Sequence, residues 1–373
     1  MNKELKILAV VVAFTLALYY GVEPYAHSQM HKHVEGNGFI YNGKADIEEV
    51  SEKISKLSNE AVEKATQLAK LKTEPSSDEA KEKIKNIEAR IASIPADIKK
   101  VEALKAKKET FWADVSKVAD MIGHVEAGKT AFSSACVSCH MDGAVNMGGV
   151  TPPSLNHAGT IYDKAYLVAL IKDPAMASNV DHKYADTSTH PMGTVKSMVT
   201  DNQQIADIVA YIKAKKSGDV TSKEAYVEAC GRCHAMRYDK WTQIGSVPKT
   251  KANIKTGLDI KALKFKQAVA EEQGKIAEYM GKLPPDLSMM VRARSHHFME
   301  TFVENPQSQM HGTSMPRVGL SAEGYEHVQQ YLSDIGDPSK PARAVAAPWI
   351  LGFLIIFTIL AYLWKQYQWR DLH

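Results

Sequence analysis

The chain has 373 residues, 45% of them hydrophobic and 24% charged, with a formal net charge of +3. That balance excludes an intrinsically disordered chain and leaves room for two domains together with membrane segments. A charge so close to neutral gives no electrostatic argument for a nucleic-acid partner.

Residues 1–23 read as an N-terminal transmembrane anchor. Ile7 to Val22 carries no charge, and with Leu5 and a snorkelling Lys6 the run reaches about 18 residues, the lower limit for a spanning helix. The rival reading is a cleaved signal peptide. An Ala-x-Ala-like site is missing after the apolar run, and a cut after Ala26 would place Pro24 where a small residue is needed. Residues 24–43 read as a linker on the far side of the membrane.

Residues 44–122 are rich in Lys, Glu, Ala and Ile and almost free of Gly. Val50, Ile54, Leu57, Ala61, Leu68 and Leu71 follow a four-three alternation, with Lys64 or Ala65 in its poorly filled slot. Ile84, Ile87, Ile91, Ile94, Ile98 and Val101 follow a cleaner one. Both are heptad seams. Thr73 to Asp78 breaks the pattern, and Ser76 with Glu79 forms a capping box for a second helix. The expectation is an antiparallel coiled-coil hairpin on the order of 40 Å long, with Pro95 kinking or breaking its second helix. Its charged outer face reads as solvated, a spacer or docking arm with no partner selected by its residues.

The four cysteines fall as Cys136-Val-Ser-Cys139-His140 and Cys230-Gly-Arg-Cys233-His234. Two thiols three apart lie on one side of a short turn, where they can add to the two vinyl groups of a haem. The adjoining histidine is then held beneath the iron. The pattern is that of c-type haem attachment, against a redox disulfide or half of a zinc site. Two copies in matched contexts predict two covalently bound haem c groups, in domains spanning 123–216 and 217–338.

The matched context includes a sixth ligand. After the second motif, Met315-Pro316 precedes Leu320-Ser321 and an amphipathic helix through Val328, Tyr331 and Leu332, similar to the second half of a class I cytochrome c. Met315 is the expected distal ligand. In the first copy, His190-Pro191-Met192 precedes a helix with Ile205, Ile208, Val209 and Ile212, where Tyr211 answers Tyr331. Aligning Val199-Thr200 with Leu320-Ser321 puts Met192 two residues away from the Met315 position. Met192 is the preferred ligand, with Met198 and His190 as alternatives. Met289, Met290 and Met299 read as core filler. Each copy also carries a Pro-Pro element, Pro152-Pro153 and Pro284-Pro285, whose carbonyls can be carried toward the haem face. Its recurrence marks an internal duplication of roughly 100 residues.

Residues 339–373 read as a C-terminal anchor and tail. Ala344 to Trp364 is uncharged, with Trp349 at one end and Tyr362, Trp364, Tyr367 and Trp369 at the other. Pro348 suits the first turn of that helix. Lys3, Lys6, Lys365 and Arg370 place both tails in the bacterial cytoplasm by the positive-inside rule, leaving about 320 residues in the periplasm. The fold class is mainly α: two tandem class I cytochrome c domains, a hairpin insert and transmembrane helices at both ends.

The segment Leu283-Pro-Pro-Asp-Leu-Ser-Met-Met-Val-Arg-Ala-Arg294 resembles the corresponding stretch of cytochrome c1. The resemblance implies that this stretch packs on the haem and that Arg292 or Arg294 contacts a propionate. With Gly21 to His31, both haem copies and the C-terminal helix, the chain resembles the dihaem membrane cytochrome that some bacterial bc complexes use in place of cytochrome c1. The hairpin departs from that pattern. The implied partners are a cytochrome b subunit, a Rieske iron–sulfur protein, and a soluble cytochrome c or terminal oxidase, in a dimeric complex embedded in membrane lipid. Six-coordinate haem with His/Met ligation would relay single electrons with no substrate chemistry and no catalytic residue of its own. The alternatives are a dihaem electron-entry subunit of a cbb3-type oxidase, which would lack the C-terminal helix, a dihaem peroxidase, which needs a labile methionine, and a sensory protein, for which no output module accompanies the hairpin.

Overall fold

The computed structural model describes residues 3–30, 34–73, 78–140, 151–180, 191–215, 219–251 and 259–370. Helices dominate it, with one short antiparallel pair, β1 (Trp241–Thr242) and β2 (Gly245–Ser246), among the described residues. At the N-terminus, α1 (Lys3–Ala17) passes through a π-turn at Leu18–Val22 into α2 (Glu23–Met30). Pro24 has no N–H to continue the ladder, and Glu23 donates its own five residues back to Leu18.

Two helices, Lys3–Ala26 and Lys340–Gln368, are long and apolar enough to cross a membrane, and neither is buried in the protein. The second starts four residues before the expected Ala344. Pro341 takes the first turn, where a missing N–H costs nothing, and Pro348 lies inside the helix. The Lys365 ammonium stands 2.8 Å from the Glu4 carboxylate, which ties the end of one apolar helix to the start of the other.

The segment 44–120 forms two long helices, α3 (Lys44–Thr73) and α4 (Asp78–Asp120). They run antiparallel: Lys72 pairs with Glu88 at 2.8 Å, and Arg90 donates to Glu60 at 2.7 and 2.8 Å. The facing stripe follows the apolar seams, with Lys64 rather than Ala65 in the weak slot. Pro95 does not break α4. It removes one ladder donor, while burial of Ile94 beside it keeps the helix packed. Ser76 of the expected capping box lies outside the described residues.

In the first haem-motif half, α5 (Val125–Ala135) crosses α7 (Asn202–Ala214), with α6 (Lys164–Lys172) between them in sequence. The crossing needs Gly128, because a Cβ there would fall 1.9 Å from the Asp207 carbonyl oxygen. In the second half, α8 (Ser222–Ala229) packs on α11 (Ala322–Gly336). Between those two lie α9 (Ile260–Met280) and α10 (His296–Glu304), and α12 (Lys340–Gln368) closes the chain. Side chains cap these helices: Asp163 for α6, Asp201 for α7, a Thr221–Glu224 capping box for α8, and Ser321 for α11.

The halves share one hydrophobic core, in which Phe132, Tyr166 and Ile205 from the first join Tyr226, Leu320 and Tyr331 from the second. A seam of backbone bonds accompanies it. Asp163 N donates to Gly319 O at 3.0 Å, and Ser321 N donates to Ile161 O at 2.8 Å. Within the 24–43 linker, residues 34–43 pack against the rest of the chain. Phe39 stacks on Tyr325 at 4.8 Å and Tyr41 packs against Tyr166 at 5.2 Å. The Glu304 carboxylate accepts from the backbone N–H groups of Asn37 and Phe39, both at 2.8 Å. Aromatic burial and these backbone bonds hold this irregular segment down.

Candidate functional site

The two cysteine motifs begin at the ends of α5 and α8. In the first, Cys136 N donates to Phe132 O at 2.9 Å and His140 N donates to Cys136 O at 2.9 Å. In the second, Cys230 N donates to Tyr226 O at 2.8 Å and His234 N donates to Cys230 O at 2.9 Å. The helix therefore tightens into one extra turn that carries both thiols and the histidine, and the two turns match bond for bond.

The match extends to each histidine ring. His140 Nδ1 lies 2.8 Å from Pro153 O, and His234 Nδ1 lies 2.8 Å from Pro285 O. A carbonyl can only accept, so Nδ1 carries the proton and Nε2 presents its lone pair. That is the tautomer an iron ligand requires. Burial lowers the pKa of both histidines, which also favours the neutral ring. The Pro-Pro elements thus set the ring orientation in both halves, and the proline nitrogens bring no donor to compete.

The thiols do not suit the rival readings. Burial pushes Cys136 up to about 11 and Cys230 up to about 12, and raises Cys233. A redox-active pair needs the opposite shift, toward the thiolate. Among the described residues, no group of three or more His, Cys, Asp and Glu side chains assembles as a zinc site would. Two thiols and an oriented imidazole on one turn fit covalent haem, which the thiols would hold as thioethers and the histidine would ligate.

In each half the aromatic residue four positions before the first cysteine packs on the tyrosine of the closing helix. Phe132 packs on Tyr211 with centroids 5.3 Å apart, and Tyr226 packs on Tyr331 at 4.7 Å. Residues 125–216 match the family model for cytochrome c. The chain carries a cytochrome c domain. A curated relative, the ammonia monooxygenase gamma subunit of Nitrosomonas europaea, is 24% identical over 208 aligned residues, covering 43% of this chain and 86% of its own length. No solved structure matches.

Within the cytochrome c domain, Met192 lies in a turn at Pro191–Thr194 and packs against the core, whereas Met198 is 58% exposed. His190 lies outside the described residues. The closing helices start at Asp201 and Ser321, each ten residues before its tyrosine, Tyr211 or Tyr331. Thr200 and Asp201 are both able caps, and the start at Asp201 shifts the register between the halves by one residue. Met192 stands three residues from the position of Met315, not two. Met315 is half-buried in the loop before α11.

Arg292 is bound to protein: its guanidinium pairs with Asp337 at 3.1 Å, beside Arg343, which takes the same carboxylate at 2.8 and 2.7 Å. Arg294 lies over the Phe298 ring at 5.0 Å. Met299 is core and Met290 packs against it, but Met289 is 47% exposed and its sulfur accepts from Tyr238 Oη at 2.7 Å, so it is not core filler.

One residue at the site has no signal in sequence. Arg232, inside the second cysteine motif, donates to Glu228 O at 3.1 Å and reaches across the seam to Thr151 O at 3.0 Å. Thr151 precedes the Pro-Pro element that orients His140. The attachment turn of the second motif thus touches the histidine-orienting loop of the first.

Proposed function

We propose that the chain is a dihaem c-type cytochrome, anchored in a bacterial inner membrane by its two apolar helices, that relays single electrons within a cytochrome bc complex. The observation that carries the second haem is the repeated bond from histidine Nδ1 to a proline carbonyl, 2.8 Å in both halves. The segment 217–338 is then a second cytochrome c domain, similar to cytochrome c1. The haems supply one-electron redox chemistry. Cys136, Cys139, Cys230 and Cys233 would hold them, and His140, His234, Met192 and Met315 are the residues that would ligate iron. Methionine paired with histidine on iron would raise the reduction potential and leave no site for substrate, which favours electron relay.

The Glu4–Lys365 contact supports a topology with both tails on one side, and the lysines and arginine of those tails point to the cytoplasm. The partners are a cytochrome b subunit, a Rieske protein as electron donor, and a soluble cytochrome c or terminal oxidase as acceptor, in a dimeric complex. The α3–α4 hairpin, read as a coiled coil, stands on the same side as the haems.

The test is optical. The tagged protein is drawn from membranes in mild detergent, its covalent haem is counted, and quinol is added. Two haems c per chain, co-purifying b-type haem, and quinol-driven reduction of added cytochrome c are expected. One haem c per chain would refute the second site. Haems c that stay oxidised beside a carbon-monoxide-binding haem b would assign the chain to an oxidase.

A further inference from the structure

The loop that carries Met315 is held from outside its own half. Two residues beyond it, Arg317 is only 4% exposed, and its guanidinium meets Asp46, which is 1% exposed, in the first turn of α3. Arg317 Nη1 lies 3.3 Å from Asp46 Oδ2 and 3.4 Å from Ala177 O, and Nη2 donates to Asp46 Oδ1. The Tyr41 and Trp112 rings each lie 6.0 Å from the guanidinium carbon. Asp46 is itself fixed: Trp112 Nε1 donates to it at 2.9 Å, and the Lys108 ammonium stands 3.8 Å away. The Arg317 backbone is pinned as well, its N–H donating to Ser178 O at 3.0 Å and its carbonyl accepting from Tyr166 Oη at 2.6 Å.

A buried Arg–Asp pair is a poor source of net stability, since desolvation offsets most of the attraction and apolar residues of equal volume serve as well. What the pair supplies is geometry. A planar guanidinium with several donors adds directional constraints that apolar packing lacks. That backbone lies within about 7 Å of the Met315 Cα. A thioether is a weak axial ligand, so its occupancy depends on how well its loop is placed.

We infer that the base of the α3–α4 hairpin is a clamp on the Met315 loop: Arg317 is a positioning residue for the axial thioether, Asp46 its fixed anion, and Trp112 with Lys108 the supports of Asp46. This rests on reading Met315 as the distal ligand of the second haem. The distal part of the hairpin takes no part in the clamp, because its ion pairs, Lys72–Glu88 and Arg90–Glu60, close only on the hairpin itself.

The experiment uses the full-length, haem-loaded chain in detergent. The readouts are the methionine-to-iron charge-transfer band at the red edge of the visible spectrum and the two midpoint potentials. Met315→Leu defines the share of the band that belongs to the second haem. Asp46→Asn and Arg317→Lys are expected to remove at least half of that share and to lower only the second potential. A tenfold greater loss of methionine affinity in the reduced state than in the oxidised state corresponds to about 59 mV. Trp112→Phe should produce a smaller shift of the same sign. Replacing residues 61–97 by a short turn should leave both readouts unchanged. If Met315→Leu removes band intensity but the three clamp variants leave band and potential intact, the clamp is wrong. If Met315→Leu changes nothing, the ligand assignment has failed and the clamp falls with it. Should Asp46→Asn or Arg317→Lys yield no haem-loaded chain, Trp112→Phe decides.

Discussion

Replacing Gly319 by alanine tests the seam at its tightest point. Gly319 has φ of +76°, and a Cβ there would stand 1.9 Å from Tyr166 Cδ1 and 2.2 Å from both Cγ and Cε1. The ring cannot yield cheaply, because it is buried and its hydroxyl donates to Arg317 O at 2.6 Å. Left-handed backbone costs an alanine about 1–2 kcal/mol. Overpacking of the ring adds roughly 1–3 kcal/mol, and loss of the hydroxyl bond about 1 kcal/mol. A total of about 3–6 kcal/mol is a large share of the stability of an ordinary domain. For a body of this size it corresponds to a drop in Tm on the order of 10 °C. Thermal unfolding of the detergent-solubilised chain, followed by near-ultraviolet circular dichroism, measures it. Repeating the change in a Tyr166→Leu background should cost less, since the ring edge is then absent. A Tm within about 2 °C of the native value, with no coupling to position 166, would refute the packing on which this reasoning rests.

Met192→Leu should abolish the methionine–iron band of the first haem while Met198→Leu leaves it intact, and the reverse result would move the ligand to Met198. The Glu228 carboxylate has one oxygen without a partner among the described residues, and burial raises its pKa above 4.5. The native state therefore holds this proton more tightly than the unfolded chain, and stability falls as pH rises from 4.5 through the folded value. Glu228→Gln should flatten that part of a Tm-against-pH curve; an unchanged slope would place its cause elsewhere. Arg232→Gln removes a cation held between Cys230 and Cys233 and bonded to Thr151 O, so a redox titration should show both midpoint potentials lowered. A fall confined to the second haem would show that this charge is not shared.

Much of the site was legible because its determinants are local. Cysteine spacing fixes one turn, and a histidine next in sequence has nowhere else to go. The Pro-Pro elements were readable for the same reason: a ring-locked backbone without N–H groups offers carbonyls and little else. The apolar stripes of α3 and α4 announced themselves by period. What escaped depends on partners far apart in the chain. Asp46 looked like one acid among many on a charged helix, and Arg317 like a loop arginine; only folding brings them together. Phe39 and Tyr41 lie in a stretch too short for any period to declare a buried face. The register between the halves is ambiguous by one residue in sequence because Thr200 and Asp201 both qualify as caps, a choice that the turn before the helix settles.

The seam explains why the second half needs an outside clamp. Residues 317–321 form the boundary with the first half: Arg317 N bonds Ser178 O, Gly319 O bonds Asp163 N, and Ser321 N bonds Ile161 O. A loop held on that side is free to swing on the other, and its freedom would be felt at Met315. The base of α3 and α4 closes the open side with Asp46 and Trp112, and residues 34–43 lay Tyr41 against the same guanidinium. The hairpin base, the first half and the second half then converge on one arginine. A displacement of any of the three reaches the proposed ligand through Arg317, so the placement of the second haem's methionine is a property of the whole periplasmic body that we propose rather than of one domain within it.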